Sequence, residues 1–366
     1  MADLVKLQFK DVSEEALAAF AQRLAPRLRP GDFLALFGDL GAGKTAFARC
    51  LIRALMENAD EEVPSPTFAL VQPYDAPRFS IHHFDFYRLS GPEEIAELGL
   101  NEALAAGVVI AEWPERLGGQ CPSDRLEISL VEQENPALRD VTLMGIGSWG
   151  PRVARFEAIS RFIDEAGWGD AHPAYVNGDA SARSYARLSA PNRTAILMDS
   201  PKAPDGPPIR GNRPYSQIAH LAEDVKPFVA VAKALRAAGL NAPEIYAADF
   251  AQGFLLIEDF GDNVFSAMAA RGDDIRPAWR LAVDALLALR LTPPAPVLDV
   301  NGACHTLPSY DREALSIETE LLVDWFLPVI RGNDIPSTVR EDLANAWAEQ
   351  FEWLSTQPTG WVLRDY

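Results

Sequence analysis

Residues Gly38 to Thr45 read Gly-Asp-Leu-Gly-Ala-Gly-Lys-Thr, the complete G-x-x-x-x-G-K-[ST] spacing of a phosphate-binding loop. The apolar run 33–37 precedes it, and a helix-like stretch over 46–56 follows. A buried strand, a glycine-rich loop and a helix, in that order, commit this part of the chain to a layered α/β structure. Glycines let backbone N–H groups turn inward around an anion, and the first amides of the helix lack intrahelical acceptors and face the same charge. Gly38, Asp39, Leu40, Gly41, Ala42 and Gly43 are expected to wrap phosphates. Lys44 would reach the β and γ groups, and the Thr45 hydroxyl would hold Mg2+. The expected ligand is a nucleoside triphosphate.

Around the loop, strand-like and helix-like segments alternate. A strand is expected over 4–9 and a helix over 13–28, with Ser13 as its N-cap and Glu14 and Glu15 complementing the helix dipole. Further strands are expected over 68–72, 79–84, 108–111, 125–131 and 140–146, with helical turns over 92–98 and 101–106. Three glycines and a proline in 145–151 mark the expected boundary, after which an amphipathic helix over 153–167 opens a second unit.

Three segments carry chemistry where a phosphate loop needs it. Ser65-Pro66-Thr67-Phe68 is a short turn whose Thr67 could meet the metal or the γ-phosphate. His83-Phe84-Asp85-Phe86-Tyr87-Arg88 sets Asp85 at the end of an apolar strand, where a metal-holding acid belongs. Glu112-Trp113-Pro114 closes the next apolar strand and suits a carboxylate that orients water, or an aromatic packed beside the nucleotide. Singly, each has a plainer reading: a strand-end Asp is commonly a turn residue, Glu112 a surface acid, Trp113 a core or edge aromatic. His82 and His83 lack the spacing of a metal site and read as structural. The joint order, at consecutive strand ends, selects the functional reading.

Together the loop and these three segments resemble the TsaE (YjeE) family, the bacterial ATPase component of the machinery that makes threonylcarbamoyladenosine in tRNA. The resemblance covers nearly all of residues 1–147. It implies ATP and Mg2+ as ligands, with Thr45 and Asp85 on the metal and Thr67 as a γ-phosphate sensor in a switch-like loop. Glu112 with Trp113 would complete the hydrolytic site, Glu112 and Thr67 acting in catalysis and Trp113 beside the nucleotide. It also implies a protein partner, the TsaD–TsaB complex, whose repeated cycles ATP hydrolysis would support; tRNA would be met only indirectly. The net charge of −19 agrees, because direct grip on nucleic acid needs clustered cations and no such block is visible. A P-loop small-molecule kinase, or a nucleotide-gated assembly factor with little turnover of its own, remains open.

The second half carries a different phosphate chemistry. Residues 177–188 are small and polar before turning strand-like, a second strand follows over 194–198, and Glu258-Asp259-Phe260 could be a hinge. A polar loop is expected over 201–214, a helix over 218–238, a strand pair over 246–250 and 254–258, and mostly helix beyond 262. Asp179-Ala180-Ser181-Ala182-Arg183-Ser184-Tyr185, Leu197-Met198-Asp199-Ser200-Pro201, Glu258-Asp259-Phe260 and Leu363-Arg364-Asp365-Tyr366 resemble the aminoglycoside-phosphotransferase-like kinases, in particular those acting on amino-sugars at the anomeric position. The resemblance spans about 152–366 and implies Asp365 as a catalytic base and a small-molecule sugar acceptor. Two features depart from it. The strand that would supply a phosphate-binding lysine reads Ala195-Ile196-Leu197-Met198-Asp199, and the later metal ligands would lie beyond residue 366. The expectation is a domain incomplete at its C-terminus and inactive as a kinase.

The expected fold is thus a P-loop NTPase domain with a mixed sheet over 1–147, followed over 148–366 by a partial protein-kinase-like α+β phosphotransferase domain. A length of 366 residues suits two cores. Three scattered cysteines without C-x-x-C spacing argue for reduced thiols, and no apolar run approaches membrane-span length, so no membrane and a cytoplasmic setting are expected.

Overall fold

The computed structural model of the chain describes residues 5–89, 93–177, 183–202, 205–300, 302–332 and 334–364. The chain divides into two compact units, Met1–Asp179 with Ser184–Leu197, and Met198–Tyr366 with Ala180–Arg183.

The first unit runs β1 (Val5–Ser13), α1 (Glu14–Leu24), β2 (Phe33–Phe37), α2 (Lys44–Met56), β3 (Val71–Asp75), β4 (Ser80–Asp85), α3 (Glu93–Glu97), α4 (Leu100–Ala106), β5 (Gly107–Glu112), β6 (Arg125–Glu132), β7 (Leu138–Ile146) and α5 (Trp149–Glu165). Its seven strands lie in the order β1-β7-β6-β2-β5-β4-β3. The centre is parallel, with β2 between β5 and β6 and β4 beside β5, whereas β1, β3 and β7 pair antiparallel. This is the mixed sheet the sequence leads one to expect. A central strand covered on both faces has no polar side, so β2 is an unbroken apolar run. Leu34 and Leu36 pack on one face with Phe47 and Leu51 of α2, and Phe33 and Ala35 on the other with Phe84 and Val109.

Ser13 caps α1 as expected, its hydroxyl accepting from the Ala16 N–H at 3.2 Å. The helix ends at Leu24, and a single tighter turn, Ala25–Arg27, follows where Pro26 has no N–H to continue the ladder. The strand expected from residue 68 starts at Val71. Residues 66–70 instead form a turn closed by the Leu70 N–H on Pro66 O at 2.6 Å, with Leu70 left-handed at φ 65°.

The glycines of 145–151 make a tight strand-to-helix turn, not a linker. A Cβ on Gly145 would lie 2.4 Å from Trp149 O. The helix begins four residues earlier than expected, at Trp149, and does not open the second unit. Trp149, Val153 and Phe156 belong to the core of the first. Arg152 ties it down through Asp32 and the Arg27 carbonyl. After it come β8 (His172–Val176), β9 (Ser184–Ala190) and β10 (Arg193–Asp199), with β8 and β9 antiparallel. Asp179, Ala180, Ser181 and Ala182 lie outside the described residues.

The second unit is α+β. It contains the small ribbon β11 (Pro208–Arg210) and β12 (Arg213–Pro214), α6 (Tyr215–Ile218), α7 (Lys226–Ala237), and the antiparallel pair β13 (Ile245–Asp249) and β14 (Phe254–Glu258). Then follow α8 (Phe265–Arg271), α9 (Arg276–Leu291), the hairpin β15 (Val297–Val300) and β16 (Ala303–Thr306), α10 (Arg312–Leu321), α11 (Leu327–Arg331) and α12 (Ser337–Ser355). The expected helix over 218–238 starts eight residues later, at Lys226, because Pro227 suits a first helical turn and not an interior, and α6 has already ended at Ile218. The polar loop over 201–214 holds the ribbon, and a hairpin interrupts the helical region beyond 262. Among the described residues no helix is long and apolar enough to cross a membrane.

Candidate functional site

The loop between β2 and α2 depends on glycine at both ends. Gly38 leaves the strand at φ 143°, where a Cβ would lie 2.4 Å from Leu130 O; Gly43 enters the helix at φ 103°, where a Cβ would lie 2.7 Å from Arg139 Nε. Backbone angle and space both exclude a side chain there. Within the loop the Ala42 N–H donates to Asp39 O at 3.1 Å, and Gly43 O accepts the first helical bond from Phe47 at 2.9 Å. Gly41 lines the cavity described below, as does the exposed Leu40. Arg139 of β7 donates its Nε–H to Ala42 O at 2.8 Å and braces the loop from 97 residues away.

Lys44 is only 5% exposed. Its Nζ donates to Gly38 O at 2.7 Å and Asp39 O at 2.9 Å and sits 3.7 Å from the centroid of the Trp113 ring. Burial lowers its pKa from the ordinary lysine value, while Glu112, Glu115, Asp85 and Asp39 favour the charged form.

Two acids end level on neighbouring strands, because Asp85 and Glu112 are register partners of β4 and β5. They are 3% and 2% exposed. Glu112 Oε2 accepts from the Thr45 hydroxyl at 2.9 Å, and its Oε1 lies 2.9 Å from His83 Nε2. Asp85 Oδ2 accepts from the Thr67 hydroxyl at 2.6 Å and from Ser65 at 3.3 Å, and its Oδ1 accepts the Tyr87 N–H at 2.9 Å. Trp113 follows with left-handed backbone at φ 58°, its ring 5.0 Å from that of Tyr87.

A cavity of about 280 Å3 is lined by Gly43, Lys44, Thr45, Thr67, Asp85, Glu112 and Trp113 among others. Sequence reasoning placed these side chains at one site, and the fold gathers them round one space. It pairs them differently, since the Thr45 hydroxyl meets Glu112 and Asp85 meets Thr67. Ser65 and Arg139 had no assigned role and His83 reads from sequence as structural: His83 meets the acid of the neighbouring strand, Arg139 reaches the loop from β7, and only the short Ser65-Pro66-Thr67 turn could have pointed to Ser65. Asp365 lies outside the described residues. Its neighbour Arg364 donates to Ala219 O at 2.7 Å and pairs with Glu318.

Among the described residues no group of three His, Cys, Asp or Glu side chains is poised on a metal ion. Mg2+ does not require one: it is usually held by one or two carboxylates with phosphate oxygens and water. Two buried carboxylates, threonine hydroxyls and a desolvated lysine, beside a glycine loop at a helix N-terminus, have the donor chemistry that suits Mg2+ with a nucleoside triphosphate.

Residues 12–141 match the family described as "Threonylcarbamoyl adenosine biosynthesis protein TsaE", and residues 174–366 match "Phosphotransferase enzyme family". The tRNA threonylcarbamoyladenosine biosynthesis protein TsaE of Rickettsia bellii is 43% identical over 118 residues, 32% of this chain and 81% of that protein. The protein of that name from Bacillus subtilis is 33% identical over 144 residues, 39% of this chain and 88% of its own length. An N-acetylmuramate/N-acetylglucosamine kinase of Caulobacter vibrioides is 36% identical over 221 residues, 58% of this chain, and the match spans 61% of that relative. The chain therefore belongs to the TsaE family through its N-terminal domain, to which a C-terminal domain of the phosphotransferase enzyme family is fused.

Proposed function

We propose that the chain is the ATP-hydrolysing component of threonylcarbamoyladenosine formation in tRNA, acting on a TsaD–TsaB partner complex. The observation that carries this reading is the gathering of Lys44, Thr45, Thr67, Asp85, Glu112 and Trp113 round one cavity at the mouth of the phosphate loop. The loop amides and Lys44 would bind the phosphates of ATP, Lys44 leaving its two carbonyl partners to do so. Thr45 and Asp85 would hold Mg2+, which when bound offsets the charge on the phosphate oxygens. Thr67, on the turn ahead of β3, would sense the γ-phosphate through its link to Asp85. Glu112 would orient the attacking water and accept its proton, and the half-buried Trp113 ring over Lys44 would help keep bulk water from the lysine.

The second domain, by its relation to N-acetylmuramate/N-acetylglucosamine kinases, would take an amino-sugar as acceptor. The acidic charge of the whole chain supports contact with tRNA through partners.

The test is phosphate release from Mg-ATP by the full chain, with and without TsaD–TsaB. Acceleration by the complex is expected. A rate the complex leaves unchanged would remove the partner from the proposal, and a phosphorylated small molecule in place of free phosphate, lost in Lys44→Ala, would turn the first domain into a kinase.

A further inference from the structure

We infer that His83 is a positioning residue for Glu112: its Nε2–H holds one carboxylate oxygen so that the other faces Thr45 and the cavity. The inference rests on the ATPase reading above, yet its argument is geometric. Asp85 and Glu112 are register partners, and His83 stands two residues back along β4, beside Ile110. Residues two apart on a strand share a face, so His83 lies beneath Asp85, on the side where the acids cluster. It is 0% exposed, and its Nε2 is 2.9 Å from Glu112 Oε1.

The other ring nitrogen selects the donor. Nδ1 is buried and has no hydrogen-bond partner among the described residues. A proton there would be a buried donor without an acceptor, a costly arrangement, whereas a bare lone pair costs less. The ring therefore carries its hydrogen on Nε2 and donates to the carboxylate.

Glu112 then has two donors, one per oxygen: His83 on Oε1 and Thr45 on Oε2. Together they hold the plane of the carboxylate. Without His83, Oε1 would be a buried acceptor with nothing to accept, and the group would turn to find one. The partner of His83 here is Glu112, the acid that would orient water in the proposed reaction.

The test uses the full chain with His83→Leu, His83→Gln, Glu112→Gln and the double substitution His83→Leu/Glu112→Gln. Glutamine places an N–H near the position of Nε2; leucine removes it at similar volume. For His83→Leu, kcat for Mg-ATP should fall about ten- to a hundredfold, with calorimetric Mg-ATP affinity within about threefold of the parent. His83→Gln should recover most of the rate, and the double substitution should be no slower than Glu112→Gln alone. An unchanged kcat in His83→Leu overturns the inference. So does a parallel loss of affinity and thermal midpoint that glutamine does not restore, or an additive double substitution.

A second readout is independent of turnover. In 15N spectra of the imidazoles, His83 should show a protonated Nε2 and a bare Nδ1. A proton on Nδ1 would overturn the inference at any ATPase rate. A parent chain that hydrolyses no Mg-ATP would sink the ATPase reading instead, and the spectrum would still decide whether His83 holds Glu112.

Discussion

The Thr45 hydroxyl donates to Glu112 Oε2 across 2.9 Å, joining the first turn of α2 to the end of β5, 67 residues away. The last residue of the phosphate loop and the acid of the neighbouring strand thus form one unit. The same hydroxyl is the one expected on the metal.

From that contact, Glu112→Gln should separate binding from chemistry. The amide keeps the side-chain shape but cannot accept a proton, and it sets an NH2 against one of two donors. Turnover should fall roughly 10^2- to 10^4-fold, while Mg-ATP affinity stays close to the parent. Phosphate release and calorimetry on one preparation check both halves, and equal losses in each would contradict the separation.

Asp85→Ala should act on affinity. It removes a buried carboxylate to which the Thr67 and Ser65 hydroxyls donate, leaving them only each other. The expected outcome is at least a tenfold loss of affinity for Mg-ATP, the loss typical of a disrupted metal site, with little change for ATP measured in chelator. Equal weakening in both conditions would mean that Asp85 serves the loop and not the metal.

Lys44→Ala should abolish hydrolysis, and the native lysine should report itself through pH. Its folded pKa lies below the ordinary 10.5, so between the two values the unfolded chain holds a proton that the native chain has lost. Stability of the nucleotide-free protein contributed by this group therefore rises with pH through that window. Phosphate binding favours the charged amine, so ATP affinity should decline as pH climbs towards 10.5. Denaturant midpoints and ATP titrations across the alkaline range check both signs, with Lys44→Met as the flat control.

Phe156→Ala should destabilise the first unit by about 3–5 kcal/mol. The ring is buried in that unit's core and meets Phe20 edge-on at 5.5 Å. Denaturant unfolding followed through the first domain would detect the shift; an unaffected first transition would place α5 outside its core.

Local chemistry was legible because it needs only neighbours in the chain. The loop from Gly38 to Thr45, the apolar run of β2 and the Ser13 cap each draw on fewer than ten residues, and strand ends at Asp85 and Glu112 follow from apolar runs that stop. The helix after residue 147 was misplaced for the opposite reason. Its glycines look like a linker until Gly145 is seen pressed against Trp149 O, and its apolar face does not say which core will take it.

By itself, the sequence determined that a loop with the spacing of a phosphate-binding loop lies between the first apolar strand and a helix, that acids stand at the following strand ends, and that a second domain resembling phosphotransferases is attached. The tertiary structure decided the partnerships: Thr45 with Glu112, Thr67 with Asp85, His83 behind Glu112, and Arg139 on Ala42 O. The physical reason is strand order. β5 lies between β2 and β4, so the acid nearest the loop is the one on the intervening strand, and no spacing along the chain records which strand intervenes.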